Sequence, residues 1–161
     1  MSRFLKYWLP LLIWLGVIFL GSTDLMSGEH TSRFIVPFLL WLKPGMSPKA
    51  IWIILIVARK CAHVTEYAIL ALLLWRALRS VPALRTKTLM VFGAVLLGCA
   101  LFAASDEFHQ TFVKSRTPSV RDVLLDVTGA LLGLLIGASF ARRHPKKFRA
   151  TIHNQVVDAQ L

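Results

Sequence analysis

Charge is scarce in this chain. Charged residues make up only 17% of 161 positions, and eight Asp and Glu stand against nineteen Lys and Arg. With hydrophobic residues at 56% and mean hydropathy at +0.62, that scarcity argues against a water-soluble domain and for a membrane protein. Cysteine is nearly absent too: Cys61 and Cys99 lie far apart, with no CxxC-type spacing, and read as free thiols that do not reveal a compartment. No small-x-small cleavage site follows the first apolar run, residues 7–20, because Phe19 stands two positions before Gly21. Arg3 and Lys6 therefore introduce an uncleaved anchor rather than a removable signal. The net charge of +11 does not point to nucleic acid, because most basic residues flank apolar runs, where membrane orientation needs them.

Uncharged stretches of about 20 residues mark helices long enough to cross a hydrocarbon core. The expected fold is all-α, an integral membrane four-helix bundle. Its domain is residues 1–141, with spans at about 5–22, 60–78, 88–105 and 121–141, followed by a basic cytoplasmic tail, 142–161, that is solvated and partly disordered. Pro10 sits in the first turns of span one, where a missing amide costs least. Trp8 and Trp14 suit interfacial or lipid-facing positions. Residues 49–78 would make one helix of about 45 Å, too long for a single crossing, so residues 50–58 are expected as a lead-in. Residues 34–42 are too short to span and are bounded by Lys43-Pro44-Gly45, which predicts a short interfacial or re-entrant helical segment between spans one and two.

Basic residues favour the side holding both termini and the loop 76–87 by eleven to eight, which puts both termini in the cytoplasm. Span order alone then gathers three polar clusters at the other end: Arg59, Lys60, His63, Glu66 and Tyr67; Ser105, Asp106, Glu107, His109 and Gln110; and Arg116 through Asp126. Residues three or four apart share a helix face, so Arg59, His63, Glu66 and Tyr67 form one stripe, Asp106, His109 and Gln110 another, and Asp122 and Asp126 a third. Glu66 lies ten residues from Arg76, about 15 Å of rise, and Asp126 sixteen from Arg142, about 24 Å, so both sit at membrane depth. A bare carboxylate there costs about 2.5–3.5 kcal/mol on insertion scales, so these groups should face inward and find partners among Arg59, Lys60, His63 and Arg116.

Three uses are open to such a cluster. The groups can satisfy one another as ionic clasps that fix helix register. They can bind a polar head group or do acid–base chemistry, or they can hold a metal, although no pattern such as HExxH is present. His30, His144 and His153 fall in polar stretches and read as ordinary surface residues. Gly129, Gly133 and Gly137 form overlapping GxxxG patterns on the face that continues Asp122 and Asp126, which suits close packing inside the bundle. An oligomer is not predicted.

The stretches Arg59-Lys60-Cys61-Ala62-His63-Val64-Thr65-Glu66-Tyr67-Ala68-Ile69-Leu70, Ser105-Asp106-Glu107-Phe108-His109-Gln110-Thr111-Phe112 and Arg116-Thr117-Pro118-Ser119-Val120-Arg121-Asp122-Val123-Leu124-Leu125-Asp126-Val127-Thr128-Gly129 resemble, in order and spacing, the VanZ-like family of small bacterial membrane proteins, named for a teicoplanin-resistance accessory protein. The family's polar residues fall on Lys60, His63, Glu66, Tyr67, Asp106, Glu107, Gln110, Arg116, Asp122 and Asp126. The chain departs from the pattern in having Asp126 where the family usually has Asn, and Lys114-Ser115 where it usually has Pro-Gly. The resemblance implies a bacterial cytoplasmic membrane protein linked to the cell envelope or glycopeptide response, without a settled reaction or cofactor.

The expectation drawn from residues and resemblance together is an outer-leaflet polar site for an anionic envelope lipid or lipid-linked wall precursor, with chemical modification of that lipid as its fuller form. Arg59, Lys60 and Arg116 would hold phosphate. Tyr67, Glu107, Gln110 and Asp126 would complete the binding set. His63, Glu66, Asp106 and Asp122 are the candidates for proton transfer, His63 acting with Glu66 or Asp106. The alternatives are a proton or solute conduit through Glu66, Asp126 and His63, and a non-catalytic membrane partner or scaffold whose basic tail rests on anionic lipid.

Overall fold

The computed structural model describes residues 3–23, 28–113 and 118–143. Five helices follow one another: α1 (Arg3–Ser22), α2 (Gly28–Leu42), α3 (Pro48–Arg79), α4 (Thr88–Gln110) and α5 (Val120–Arg143). A 3-10 turn, Pro82–Leu84, links α3 to α4. No strand occurs among the described residues. Three helical stretches are long and apolar enough to cross a membrane: Phe4–Ser22, Thr88–Gln110 and Val120–Ser139.

The lead-in and the crossing expected around residues 49–78 are one continuous helix of 32 residues. Nothing in that stretch breaks a helix. Ser47 caps its start, its Oγ accepting from the Ala50 amide at 3.3 Å, and Pro48 occupies the first turn, where its missing N–H is no loss. The polar residues Arg59, Lys60 and His63 interrupt hydropathy but not helix propensity. The helix ends at Ser80, whose Oγ donates to the Ala77 carbonyl at 2.6 Å, ahead of the helix-breaking Pro82. Upstream, Gly45 turns the chain out of α2 at φ +82, a conformation an L side chain rarely adopts.

Contacts along the helices give their directions. Trp75 meets Phe92 and Tyr67 meets Phe102, so α4 runs antiparallel to α3. Arg76 meets Lys6 and Trp14 meets Glu66, so α1 does the same. Gly129 lies on Val64, Gly133 on Ala68 and Gly137 on Leu72, a constant register that makes α5 parallel to α3. The four helices share one apolar core, in which Leu11, Ile18, Leu70, Ala71, Val95, Cys99, Ala130 and Leu134 are buried. Leu89, Leu97, Leu101, Leu124 and Ile136 point outward, as lipid-facing side chains would.

Pro10 leaves the Lys6 carbonyl without its usual donor four residues on. Arg76 supplies one: its Nη2 donates to Lys6 O at 3.2 Å while the guanidinium lies over the Tyr7 ring, 5.2 Å from its centroid. Arg76→Met should therefore lower stability by about 1 kcal/mol, a modest loss because the contact is exposed, and thermal unfolding in detergent would register it. An unchanged midpoint would mean that water serves Lys6 O equally well.

Candidate functional site

All three polar stripes meet at one end of the helices, opposite the Lys6–Arg76 end. His63, on α3, faces Asp126 on α5, with Nδ1 and Oδ1 3.0 Å apart. One turn nearer the helix N-termini, Lys60 Nζ reaches Asp122 Oδ1 at 3.4 Å. The two pairs differ in surroundings. Asp126 is fully buried and the His63 side chain is 12% exposed, whereas the Lys60 side chain is 52% exposed and its pairing with Asp122 adds little to stability. Both follow from the parallel register: a three-residue step along α3 and a four-residue step along α5 each advance about one turn.

That register depends on glycine. A Cβ at Gly129 would lie 2.5 Å from the Val64 carbonyl oxygen, and one at Gly133 the same distance from that of Ala68. The backbones of α3 and α5 touch, and this brings the short Asp126 side chain within reach of His63.

On α4, Gln110 Nε2 donates to Asp106 Oδ2 at 3.1 Å, an i,i+4 bond that holds the carboxylate in place. Glu107, on the next face, accepts from the Ser119 amide at 2.7 Å through Oε2. Ser119 precedes the first residue of α5, so Glu107 places negative charge at a helix N-terminus, where amides lack partners. The sequence reading assigns Glu107 to ligand binding, but one of its oxygens is engaged in anchoring α5.

A cavity of about 500 Å³ opens between α1, α2, α3 and α4, with walls that are mostly apolar, including Val17, Ile18, Ile35 and Leu55. Its polar lining comprises Ser22, Thr31, Arg59, His63, Glu66, Asp106 and Gln110. Five expected site residues thus converge on it: Arg59, His63, Glu66, Asp106 and Gln110. Lys60, Tyr67, Glu107, Asp122 and Asp126 do not line it. Asp126 stands behind His63, and Tyr67 is buried in the core with its hydroxyl unpartnered among the described residues. The Nδ1 bond of His63 goes to Asp126, one of the carboxylates for which His63 was an available partner, while Glu66 and Asp106, its expected companions in proton transfer, line the cavity with it.

Arg116, the Lys114-Ser115 departure, the tail beyond Arg143 with His144 and His153, and the His30 side chain lie outside the described residues. Both cysteines are free, Cys61 exposed and Cys99 buried. No three of His, Cys, Asp and Glu come together as a metal site among the described residues.

Sequence reasoning does not identify four contributors. Trp14, expected at an interface or facing lipid, donates from Nε1 to the Glu66 carbonyl at 3.0 Å. Ser22, at the end of α1, is buried beside the cavity. Leu55 and Ala58, in the lead-in of α3, form its wall with α2. An indole near a span centre was the available signal for Trp14. Whether Ser22 is buried depends on which face of α1 turns inward, and that depends on its partner.

The arrangement is a mostly apolar cleft with a guanidinium, an imidazole backed by a carboxylate, and several acceptor-bearing side chains. No curated protein and no solved structure matches the chain. A family model does match, covering residues 7–141 and so all three polar stripes and the helices that carry them, and the chain belongs to that family, VanZ/LLP1.

Proposed function

We propose that the chain crosses the bacterial cytoplasmic membrane four times, through α1, α3, α4 and α5, with both termini in the cytoplasm, and that its cavity binds an anionic envelope lipid or lipid-linked wall precursor from the outer leaflet. The observation that carries this reading is Arg59. Its guanidinium lines a largely apolar cavity and makes no ion pair with a described carboxylate, while Lys60 next to it is engaged by Asp122. A guanidinium with no partner among the described carboxylates, set beside apolar walls, suits a phosphate attached to hydrocarbon. The family's association with teicoplanin resistance supports an envelope ligand.

His63 is the cavity group equipped for proton transfer. When Nδ1 carries the proton that Asp126 accepts, Nε2 is left as the basic nitrogen, the arrangement used in general acid–base catalysis. Chemical modification of the lipid would run through it. A conduit is less well supported, because beyond the His63–Asp126 pair and the Tyr67 hydroxyl the buried residues Leu70, Ala71, Val95, Cys99 and Leu134 provide no polar relay toward Arg76 among the described residues.

In a host where the wild-type protein alters glycopeptide susceptibility, Arg59→Ala, His63→Ala and Asp106→Ala should each return susceptibility to the level of the empty vector, at membrane expression matched to wild type. Retention of the wild-type phenotype in all three would sink the proposal.

A further inference from the structure

Two residues that line the cavity carry a buried polar atom with no hydrogen-bond partner among the described residues: Ser22, 3% exposed, at Oγ, and Gln110, 1% exposed, at Oε1. Leaving a buried acceptor unmade costs about 1–3 kcal/mol, so such groups in a cavity mark where a ligand atom belongs. Their setting says what kind of atom. Gln110 already gives its amide to Asp106 and can only accept through the bare oxygen. Asp106 and Glu66 line the same cavity and, as carboxylates, also accept. Four acceptor-bearing side chains, Ser22, Glu66, Asp106 and Gln110, thus surround one space.

A phosphate can accept from the Ser22 hydroxyl, but it cannot satisfy Glu66, Asp106 or Gln110 Oε1, since it too brings acceptors. It belongs at Arg59, seven residues and about 10 Å of helix rise before Glu66, toward the end of the helices where α3 and α5 exchange Lys60 and Asp122. What lies beyond the phosphate must carry donors. The two groups left without a partner among the described residues, Ser22 Oγ and Gln110 Oε1, are neutral and are satisfied by O–H groups; the carboxylates Glu66 and Asp106 can also pair an ammonium, and binding of phosphatidylethanolamine separates the two.

We infer that the cavity selects lipids whose phosphate carries a hydroxyl-bearing head, a phosphoglycerol or phosphosugar, with the phosphate on Arg59 and the hydroxyls on Ser22, Glu66, Asp106 and Gln110. This rests on the anionic-lipid reading above and narrows it to a class of head group. Two hydroxyl contacts at about 1 kcal/mol each amount to roughly thirtyfold in affinity.

The full chain, purified in detergent, can be titrated calorimetrically with short-chain phosphatidylglycerol, phosphatidate, phosphatidylethanolamine and a short-chain polyprenyl phosphosugar. Phosphatidylglycerol or the phosphosugar should bind at least ten times more tightly than phosphatidate, and whichever binds more tightly names the source of the head group. Ser22→Ala and Gln110→Leu should each reduce that preference severalfold with phosphatidate affinity unchanged. Ser22→Ala, which removes no partner of Asp106, keeps the test valid if Gln110→Leu does not fold. Equal affinity for phosphatidate and phosphatidylglycerol would overturn hydroxyl selection while leaving the anionic-lipid reading intact, and phosphatidylethanolamine binding as tightly as phosphatidylglycerol would overturn it in favour of any donor. No binding of any of the four would remove the underlying reading itself.

Discussion

Gly133→Leu is expected to prevent the protein from folding. A Cβ at this position would stand 2.5 Å from the Ala68 carbonyl oxygen, 2.8 Å from its Cα and 3.0 Å from its carbonyl carbon, all backbone atoms that no rotamer change can move aside. Ordinary overpacking of a core costs about 1–3 kcal/mol, and a clash between two helix backbones exceeds that, because α5 must withdraw from α3 along its length. Withdrawal would also separate Asp126 from His63, two turns earlier, so a steric error becomes an electrostatic one. Gly129→Leu, against Val64, should behave alike. Gly137 meets only the Cδ2 of Leu72, at 2.8 Å, and Gly137→Ala should be tolerated after a side-chain adjustment. Gly93 has nothing within 4 Å, so Gly93→Ala should match wild type or gain up to about 1 kcal/mol from helix propensity. Monodispersity and thermal midpoint in detergent across this series would measure the helix contact. A Gly133→Leu protein as stable as wild type would refute the parallel packing of α3 on α5.

Asp126→Ala should cost about 1–3 kcal/mol, because it leaves the half-buried His63 Nδ1–H without its acceptor. The loss arises where the carboxylate is fully buried and one oxygen already lacks a partner among the described residues. Asp126→Asn keeps an acceptor for Nδ1 and removes a buried charge, so it should be tolerated with little loss. This agrees with the Asn that VanZ-like chains usually carry there. If the pair acts mainly on structure, His63→Leu combined with Asp126→Leu should recover most of the stability that either change alone removes, while susceptibility in the host stays at the empty-vector level. Chemical or thermal unfolding of the two single variants and the double variant gives the coupling as a double-mutant cycle. Additive losses would show that the two side chains do not interact.

Much of the architecture was legible from hydropathy and spacing. The helices around residues 5–22, 88–105 and 121–141 appear with their ends extended by a few residues, because a helix continues past its apolar part wherever nothing stops it. Residues 50–58 were read as a separate lead-in for a membrane reason, the thickness of the bilayer, but backbone propensity is indifferent to that thickness and α3 runs through unbroken. The stripes on α3, α4 and α5 were readable because three- and four-residue spacing fixes which residues share a face. Pairings across helices were not. Depth and span order name His63 among the available partners of the carboxylates Glu66 and Asp126 but not which of them it meets; its Nδ1 bond goes to Asp126, because glycine contacts set the register of α3 on α5 and that register is a property of two surfaces together.

Membership of one end of the molecule was therefore determined by the sequence alone: alternating helix direction sends every second helix end to the same side, and all three polar stripes lie at such ends. Which of those residues share a cavity was decided only by the tertiary structure. Arg59, His63, Glu66, Asp106 and Gln110 line it together with Ser22 from α1 and Thr31 from α2, whereas Asp126 and Tyr67 are sealed behind it. Periodicity says that a side chain lies on a face. What that face meets depends on the rotation and approach of neighbouring helices, and here the approach is set by two glycines lying against the backbone of α3.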